Sequence, residues 1–310
     1  MMRMTIKNLE DLLNKDLARD LFLEYQKECG LNDNFQIENI QRHLVLSPKT
    51  YALLYEIKVD GTIRKLRVNA SGEETRQGAF QVMKFLANEF SGPQFFIPKV
   101  YFYDGDYNLV AYENVEGEIL IDQLNNLYLV KKISLAAQWL NQFHRVEKLN
   151  IDLPGHETFF NFEALKKFYP KLVDSGAGII ADLKKRISSD FEPKLIHGDY
   201  QPNNIIVDKD SITVFDFNDS RFDDPALDLA KFLSQLKVML FRFADVKDFD
   251  NLKDAFLTNY HLNFNQNNFQ IYSKMYYLQI LCSLSASLAE DSEAQKTIPE
   301  IYKYWEEENK

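Results

Sequence analysis

The sequence predicts an α+β protein with two lobes, a small antiparallel-sheet lobe followed by a mostly helical lobe. Segments in the first third alternate apolar and polar residues, as strands of antiparallel sheets do. Beyond Gly117 the apolar residues recur at helical spacing instead. A chain of 310 residues is also long enough to bury two cores. We therefore predict an N-terminal helical segment over 1–38, a first lobe over 39–115 and a helical lobe over 116–310.

Composition narrows the possible partners and the compartment. A net charge of −10 and a pI near 5.1 count against nucleic acid or an anionic membrane as main partner. Cys29 and Cys282 lie far apart without a His at ligand spacing, which indicates a reducing compartment. The N-terminus lacks a signal-peptide core, and no apolar run approaches the roughly 18 residues of a membrane span. We expect a cytoplasmic protein, and composition does not indicate its oligomeric state.

The predicted elements of the first lobe begin with an amphipathic helix that ends near Gly30. The dipeptide Asp60-Gly61 is typical of a tight hairpin turn between two strands. The predicted order is a helix over 5–28, strands over 36–46, 51–59 and 62–70, a helix over 73–90, and strands over 100–105 and 107–115.

The second lobe is predicted to be mainly helical. Its first helix, over 126–147, carries one apolar face that contains Leu127, Val130, Ile133, Ala137 and Leu140. Further helices are predicted over 160–169, 177–188, 225–243 and 271–289.

One motif indicates nucleotide binding only superficially. SGAGIIA at 175–181 matches the dinucleotide fingerprint, which requires a buried strand before it and a βαβ unit around it. Neither is predicted here, so we interpret the glycines as easing entry into a helix. A phosphate-binding P-loop motif is absent from the sequence.

The stretch HGDYQPNN at 197–204 interrupts two strand-like segments with polar residues. Phosphoryl transfer needs an Asp to orient the attacking hydroxyl, and an Asn and a second Asp to hold a metal ion. Asp199 and Asn204 have the five-residue spacing of a kinase catalytic loop, and Asp216 follows the next predicted strand. We expect this strand–loop–strand unit to bring the three residues together. The alternative is a polar turn followed by an unrelated acidic hairpin.

Together these motifs resemble those of the aminoglycoside phosphotransferase and choline kinase-like family. The resemblance is sharpest in HGDYQPNN and in VFDFNDSRFDDPALDLA. It extends to LVAYENVEGEIL, which looks like the family's linker between lobes, and to LNQFHRVE, which is similar to its helix ending in Leu-x-x-x-His.

The resemblance implies a two-lobed protein kinase-like fold in which 39–115 binds a nucleotide. It implies an enzyme that uses ATP or GTP with Mg²⁺ to phosphorylate a hydroxyl of a small molecule. By the same resemblance Asp199 is the catalytic base, and Asn204 and Asp216 are metal ligands. The backbones of Glu113 and Val115 are then expected to meet the nucleobase.

Two departures from the family pattern concern the phosphates. The loop LSPKT at 46–50 has no glycine, so Ser47, Lys49 and Thr50 are candidate side-chain donors instead. Alternation along the third strand places Arg67 where the family has a phosphate-binding Lys, with Lys65 on the same face as the alternative.

The acidic partner expected on the following helix is replaced by Gln77 or Ala79, and Glu73 and Glu74 come earlier. An Arg keeps its charge and can bind phosphate through two N–H groups without a carboxylate partner. An exposed surface Arg is the alternative interpretation.

Residues around the motif are given structural roles. We expect His197 to brace the loop, and Asp224 and Pro225 to begin the next helix. Asp228 should tie that helix to the catalytic loop, and His144 should be structural.

The acceptor is the least determined part of the prediction. Rings and carboxylates together can hold a cation such as an amino sugar or an amino alcohol. The alternative is that the rings fill the core and that the acceptor is a neutral sugar. The candidates are Tyr260, Phe264, Phe269, Tyr272, Tyr276 and Tyr277, with Asp219, Asp223 and Asp224.

Two classes of function are open at this point. The first is an active small-molecule kinase, which the presence of Asp199, Asn204 and Asp216 favours. The second is a nucleotide-binding pseudokinase that acts as a scaffold, which the altered glycine loop favours. A protein kinase is a weaker alternative, because no A-P-E motif or long activation segment follows Asp216.

Overall fold

The structure is a computed structural model that describes residues 7–43, 49–90, 92–147, 160–244, 248–287 and 292–307. These residues form two compact units, and each is described by itself. The first contains the described residues up to Glu116 together with Thr213–Asn218. The second contains those from Gly117 to Ile212 and from Asp219 onwards. Ser47 and the predicted strand end at 44–46 lie outside the described residues.

The predicted single helix over 5–28 is wrong, because the segment forms three short helices. A 3₁₀ helix over Leu9–Leu13 precedes α1 (Lys15–Glu24) and α2 (Gln26–Cys29). Asn14 between the first two has an extended backbone, and its side chain accepts hydrogen bonds from two N–H groups of the first turn of α1. That capping geometry ends one helix and starts the next.

A five-stranded antiparallel sheet dominates the first unit, as predicted. Its strand order is β1-β2-β3-β6-β5. One face packs Tyr55, Leu66 and Val68 into a core with Phe22 of α1, and the opposite face carries Arg67. The elements are β1 (Gln36–His43), β2 (Thr50–Val59), β3 (Thr62–Ser71), α3 (Gln77–Glu89), β4 (Phe95–Phe96), β5 (Val100–Asp104) and β6 (Leu109–Glu113).

The second unit is mostly helical, as predicted. Its helices over Phe249–Asn259 and Ser292–Glu307 were not predicted. The segment predicted as a helix over 160–169 is a 3₁₀ helix over Phe162–Lys167. The elements are β7 (Glu118–Ile119), α4 (Leu129–Phe143), α5 (Pro170–Lys185), β8 (Lys194–Ile196), β9 (Ile205–Asp208), β10 (Ser211–Val214), β11 (Arg221–Asp223), α6 (Ala226–Phe243), α7 (Phe249–Asn259), α8 (Gln266–Ser287) and α9 (Ser292–Glu307). The last two residues of β10 group with the first unit.

The predicted apolar face of the helix at 126–147 is wrong at its start. α4 begins only at Leu129, and Leu127 before it is 97% exposed. Val130 is 41% exposed as well, whereas Ile133, Ala137 and Leu140 are fully buried. Among the predicted residues the core-facing stripe therefore begins at Ile133.

Short strand pairs place the ends of the 197–204 loop. β8 pairs antiparallel with β11, and β9 pairs antiparallel with β7. The loop therefore leaves one strand pair and enters another, which holds both of its ends. Among the described residues no helix is long and apolar enough to cross a membrane.

The SGAGIIA motif lies inside α5, so our prediction that it opens a helix is wrong. The residues before it are already helical, and no strand precedes it as a dinucleotide fingerprint requires. Gly176 instead permits close packing, since a Cβ at this position would lie 2.3 Å from the ring of Phe162. Around Gly178, two residues later, no atom lies within 4 Å of such a Cβ.

These two glycines predict opposite effects of one substitution. Gly176→Ala should lower the free energy of unfolding by about 1–3 kcal/mol, because the Phe162 ring must move. Gly178→Ala, the matched control, should raise it by about 0.5–1 kcal/mol through higher helix propensity. Urea unfolding measures both, and stabilisation by both variants would contradict the packing described for Gly176.

Candidate active site

The loop at 197–204 is anchored by a buried ring in its middle. Tyr200 is fully buried and donates its hydroxyl to the carbonyl oxygen of Ala136 on α4 at 2.7 Å. Its ring stacks on Trp139 with centroids 5.8 Å apart. Because the ring cannot move without opening the core, the polar residues on either side of it are held in place.

Asp228 on α6 organises the start of the loop. One oxygen, Oδ2, accepts the His197 N–H at 2.7 Å, and Oδ1 accepts the Gly198 N–H at 2.8 Å. His144 Nε2 also lies 3.0 Å from Oδ2. The predicted tie between this helix and the loop is confirmed.

The two histidines have the structural roles predicted for them. Both are completely buried. His144 lies between Asp228 and the hydroxyl of Tyr260, which is 2.8 Å from Nδ1. His197 Nδ1 accepts the N–H of Asp199 at 3.3 Å, so its ring braces the loop from inside.

Burial and hydrogen bonding compete at Asp228. Burial disfavours the carboxylate and is the largest influence on its pKa, but the hydrogen bond and charge of His144 and the N–H of His197 outweigh it. The pKa of Asp228 is therefore below its ordinary value.

Gly198 allows the loop to approach its neighbour closely. Its φ is +77°, in the left-handed region, and a Cβ there would lie 2.3 Å from the carbonyl oxygen of Asp219. Glycine is thus required between His197 and Asp199 by both backbone conformation and space.

The carboxylate of Asp199 is surrounded by donors. Asn204 Nδ2 donates to Oδ2 at 2.8 Å, and Gln201 Nε2 donates to the same oxygen at 2.9 Å. The Lys231 ammonium lies 2.5 Å from Oδ1. The structure brings Asp199 and Asn204 into contact, as their spacing predicts, and adds Lys231, which the sequence analysis missed.

These donors keep Asp199 ionised. Burial is the largest influence and disfavours the charge, but Lys231, His197 and Asn204 together hold the pKa of Asp199 below its ordinary value. A carboxylate of this kind is charged at neutral pH and accepts a hydrogen bond from a hydroxyl readily.

Asp216 follows β10 and belongs to the first unit. Its φ is +69°, an uncommon conformation for a residue other than glycine and one that clusters at functional sites. Asn218 Nδ2 donates to its Oδ1, while Oδ1 of Asn218 is buried without a hydrogen-bond partner. Carboxylate and amide oxygens are the ligand types that a hard cation prefers, and the amide oxygen of Asn218 is unsatisfied. The sequence analysis did not single out Asn218.

Arg67 lies on the face of β3 opposite the core. It is half-buried, and its Nε donates to Oδ1 of Asn114 at 2.8 Å. Lys65 is on the same face but exposed. Among the described residues, Arg67 forms no ion pair with a carboxylate on α3 or in the segment before it. Glu73 in that segment pairs with Lys49 instead, at 2.6 Å.

A second arginine of the first unit was missed by the sequence analysis. The side chain of Arg76, just before α3, is 5% exposed, and its Nε has no hydrogen-bond partner. Burial raises the pKa of Tyr112 to about 12; Asp216 adds to the rise, and the charges of Arg67 and Arg76 oppose it. The charges of Arg67, Arg76 and Asp216 therefore all influence the pKa of Tyr112.

The other predicted nucleotide-binding residues are on the sheet and at its ends. Thr50 begins β2, and Lys49 precedes it with an exposed side chain. Glu113 ends β6, where its N–H donates to the carbonyl of Lys99 at 2.9 Å. Val115 follows, half-buried.

The four tyrosines offered for the acceptor are buried. Tyr260, Tyr272, Tyr276 and Tyr277 are 3–6% exposed, as expected of rings that fill a core. Asp224 is fully buried and accepts the N–H of Ala226, the first residue of α6. The N-cap itself is Pro225, one residue later than predicted.

Comparison with known proteins decides the family. A family model described as a phosphotransferase enzyme family matches residues 55–268. The chain belongs to this phosphotransferase family. The predicted resemblance is thereby confirmed. A search of curated proteins gave no match.

Solved structures of this phosphotransferase type share the fold. Choline kinase LicA from Streptococcus pneumoniae is similar with a TM-score of 0.62 and 15% identity over 94% of this chain and 99% of that chain. Spectinomycin phosphotransferase APH(9)-Ia, solved with ADP and spectinomycin, has a TM-score of 0.60 and 14% identity over 93% of each chain. Amicoumacin kinase hAmiN, solved with AMP-PNP and Ca²⁺, has a TM-score of 0.61 and 14% identity over 95% and 96%. The predicted protein kinase-like α+β fold is confirmed.

The bonding of Asp228 predicts a pH-dependent loss of stability in Asp228→Asn. The amide has one acceptor oxygen and turns an N–H₂ towards N–H donors, so we expect unfolding to cost about 2–4 kcal/mol less at pH 7. Because the folded-state pKa is depressed, this stabilisation is present above the unfolded value near 3.8 and is lost as the pH falls through the folded pKa.

Urea unfolding of both proteins between pH 3 and pH 7 measures the difference, which should narrow towards pH 3. Asp254→Asn, on the exposed face of α7, is the control. A difference that is constant with pH would contradict the charged state of Asp228.

Proposed function

We propose that the protein is a kinase that transfers the γ-phosphoryl group of ATP, or of GTP, to a hydroxyl of a small molecule. The observation that carries this proposal is the set of donors around Asp199. They hold a charged carboxylate at the end of a rigid loop, with the residue types and spacing of a phosphoryl-transfer site. Membership of the phosphotransferase family supports it.

Asp199 is proposed as the catalytic base. Its carboxylate orients the acceptor hydroxyl for attack on the γ-phosphorus and accepts the proton as the new P–O bond forms. A depressed pKa makes a weak base, which is sufficient where the proton leaves late in a loose transition state. Positioning of the hydroxyl is then the larger contribution.

Asn204 and Asp216 are proposed as ligands of Mg²⁺. An amide oxygen and a carboxylate oxygen match the preference of this ion, and Asn204 has its Nδ2 turned to Asp199, which leaves Oδ1 to serve as ligand. Mg²⁺ held by these two residues would supply positive charge that neutralises the negative charge developing during transfer. The unsatisfied Oδ1 of Asn218 is a further oxygen beside Asp216.

Arg67 and Arg76 are proposed to bind the nucleotide phosphates. The family pattern has a lysine on the third strand that is paired with an acidic residue on the next helix. In this chain the positive charges of Arg67 and Arg76 are proposed to replace that pair. Guanidinium groups remain charged and bind phosphate through two N–H groups at once. Lys65, Lys49, Thr50 and Ser47 remain alternative donors, and the backbones of Glu113 and Val115 are proposed to meet the nucleobase.

The scaffold alternative makes a different prediction about turnover. A pseudokinase has no need for a base that is kept ionised by three side chains. Incubation of the protein with ATP or GTP, Mg²⁺ and a panel of hydroxyl compounds tests this directly. Nucleotide binding without turnover on any acceptor would favour the scaffold function.

Substitution of the base predicts a loss of rate. Asp199→Asn preserves the shape of the side chain but removes its charge, and should lower turnover about 10²–10⁴-fold, or roughly 3–5 kcal/mol of barrier. Affinity for MgATP should change little. Asp208→Asn, at the exposed end of β9, is the control and should keep normal turnover. Near-normal turnover of Asp199→Asn would remove this residue from its proposed role.

Substitution of the arginines predicts a loss of nucleotide affinity. Arg67→Met and Arg76→Met should each weaken MgATP binding about 10–100-fold, because a hydrogen bond to a charged group contributes roughly 1.5–3 kcal/mol. Arg42→Met is the control, since Arg42 stacks on Tyr51 on the core-facing side of the same sheet. Calorimetry measures all three. An unchanged affinity of Arg76→Met would leave that buried cation without this function.

A further inference from the structure

Lys231 is a buried cation beside the proposed base. It lies on α6 three residues after Asp228, so both side chains leave the same face of the helix towards the loop. Its ammonium is 2.5 Å from Oδ1 of Asp199 and donates to the carbonyl of Gly198 at 3.3 Å. The Lys231 side chain is 11% exposed and that of Asp199 is 22% exposed. The pair is therefore poorly screened by water.

The same ammonium covers an aromatic ring. Lys231 Nζ lies 5.6 Å from the centroid of the Tyr276 ring on α8. Burial disfavours the charge, but Asp199, Tyr276 and Asp219 outweigh burial and hold the pKa of Lys231 above its ordinary value. A ring that already faces a protein cation is not available to a ligand cation.

Two more of the rings proposed for a cationic acceptor, Tyr277 and Tyr260, are also engaged within the protein. Lys237, two turns further along α6, lies 5.8 Å from the ring centroid of Tyr277. Tyr260 is bonded to His144 through its hydroxyl.

The carboxylates proposed for the same purpose have partners as well. Asp223 accepts from Arg221 Nε at 3.0 Å. Asp224 is fully buried and accepts from Asn268 Nδ2 at 2.7 Å. Asp223 is therefore paired with a cation, and Asp224 is not exposed to an acceptor. Asp219, the third of these carboxylates, acts on Lys231, whose charged form it favours.

Geometry then limits the charge that the acceptor can carry. Oδ2 of Asp199 already accepts from Asn204 and Gln201, so an acceptor hydroxyl is expected at Oδ1. A hydroxyl about 2.8 Å from Oδ1 lies within roughly 5 Å of the Lys231 ammonium, which is 2.5 Å from the same oxygen. A positive group next to that hydroxyl meets a second positive charge, with the negative charge of Asp199 already neutralised. An uncharged or anionic group meets no such repulsion.

We propose that Lys231 is a specificity-determining residue that selects acceptors without a positive charge beside the hydroxyl to be phosphorylated. The inference rests on the proposed function, because it takes Asp199 as the group that meets the acceptor. It replaces the expectation of a cationic acceptor and favours neutral sugars or polyols and hydroxyl compounds with an anionic group.

The test uses acceptor pairs that differ in charge but little in shape. Choline with 3,3-dimethylbutan-1-ol, and glucosamine with glucose, are two such pairs. The ratio of kcat/KM for the neutral over the cationic member is measured for the parent, for Lys231→Met and for Lys237→Met. Lys237→Met is the matched control, because it removes a lysine from an aromatic face of the same helix away from Asp199. Calorimetry of acceptor binding in the presence of AMP-PNP and Mg²⁺ gives the corresponding ratio of affinities for the neutral over the cationic member, without turnover.

We expect the parent to prefer the neutral member at least tenfold. Lys231→Met should shift the ratio at least tenfold towards the cationic member, and Lys237→Met should leave it unchanged. A parent that prefers the cationic member, or a ratio that Lys231→Met does not alter, overturns the inference. If no member of either pair is phosphorylated, the binding ratio decides this inference, and the broader panel described above decides the proposed function. Failure of every member to bind counts against this inference.

Discussion

The carboxylate of Asp228 is the group on which the geometry of the 197–204 loop depends. It accepts the backbone N–H groups of His197 and Gly198, and it is held in turn by His144. A charge buried this deeply is stable only because these donors are already in place. The loop therefore cannot shift without exposing or unpairing a carboxylate in the core. In this way a helix in the middle of the second unit sets the position of Asp199.

The same helix also sets the charge around Asp199. Asp228 and Lys231 are one turn apart on α6, so the residue that positions the loop and the residue that pairs with Asp199 share one rigid support. Solved structures with this fold include proteins named as a choline kinase and as a spectinomycin phosphotransferase. At 14–15% identity they share the fold with this chain, and the acceptor has to be inferred from its own side chains. Lys231, which lies 2.5 Å from Oδ1 of Asp199, is the side chain from which we infer an acceptor without a positive charge.

Local patterns predicted the fold class and the loop residues well, because their information is contained in short stretches. Strand alternation and the spacing of Asp199 and Asn204 are of this kind. The breaks in the first helix were missed, although Asn14 is a residue type that begins helices and was a detectable sign.

Contacts between residues distant in sequence could not be predicted in the same way. In the sequence, Lys231 looks like any lysine of an amphipathic helix. Its contact with Asp199 becomes evident only in the folded structure. The burial of Arg76 and the unsatisfied oxygen of Asn218 depend likewise on packing that no short motif encodes. The four tyrosines were ambiguous for the opposite reason, since aromatic residues at helical spacing are compatible with both a core and a binding site.

The central claim is that this chain is built for metal-dependent phosphoryl transfer, and the dependence of nucleotide affinity on Mg²⁺ tests it most directly. Calorimetry of ATP binding with Mg²⁺ and with a chelator, on the parent protein, Asn204→Ala and Asp216→Ala, gives that dependence. Two hard oxygen ligands predict that Mg²⁺ strengthens binding to the parent at least tenfold and that each variant loses most of this gain. Equal affinity with and without Mg²⁺ in the parent, or an undiminished gain in both variants, would contradict the account.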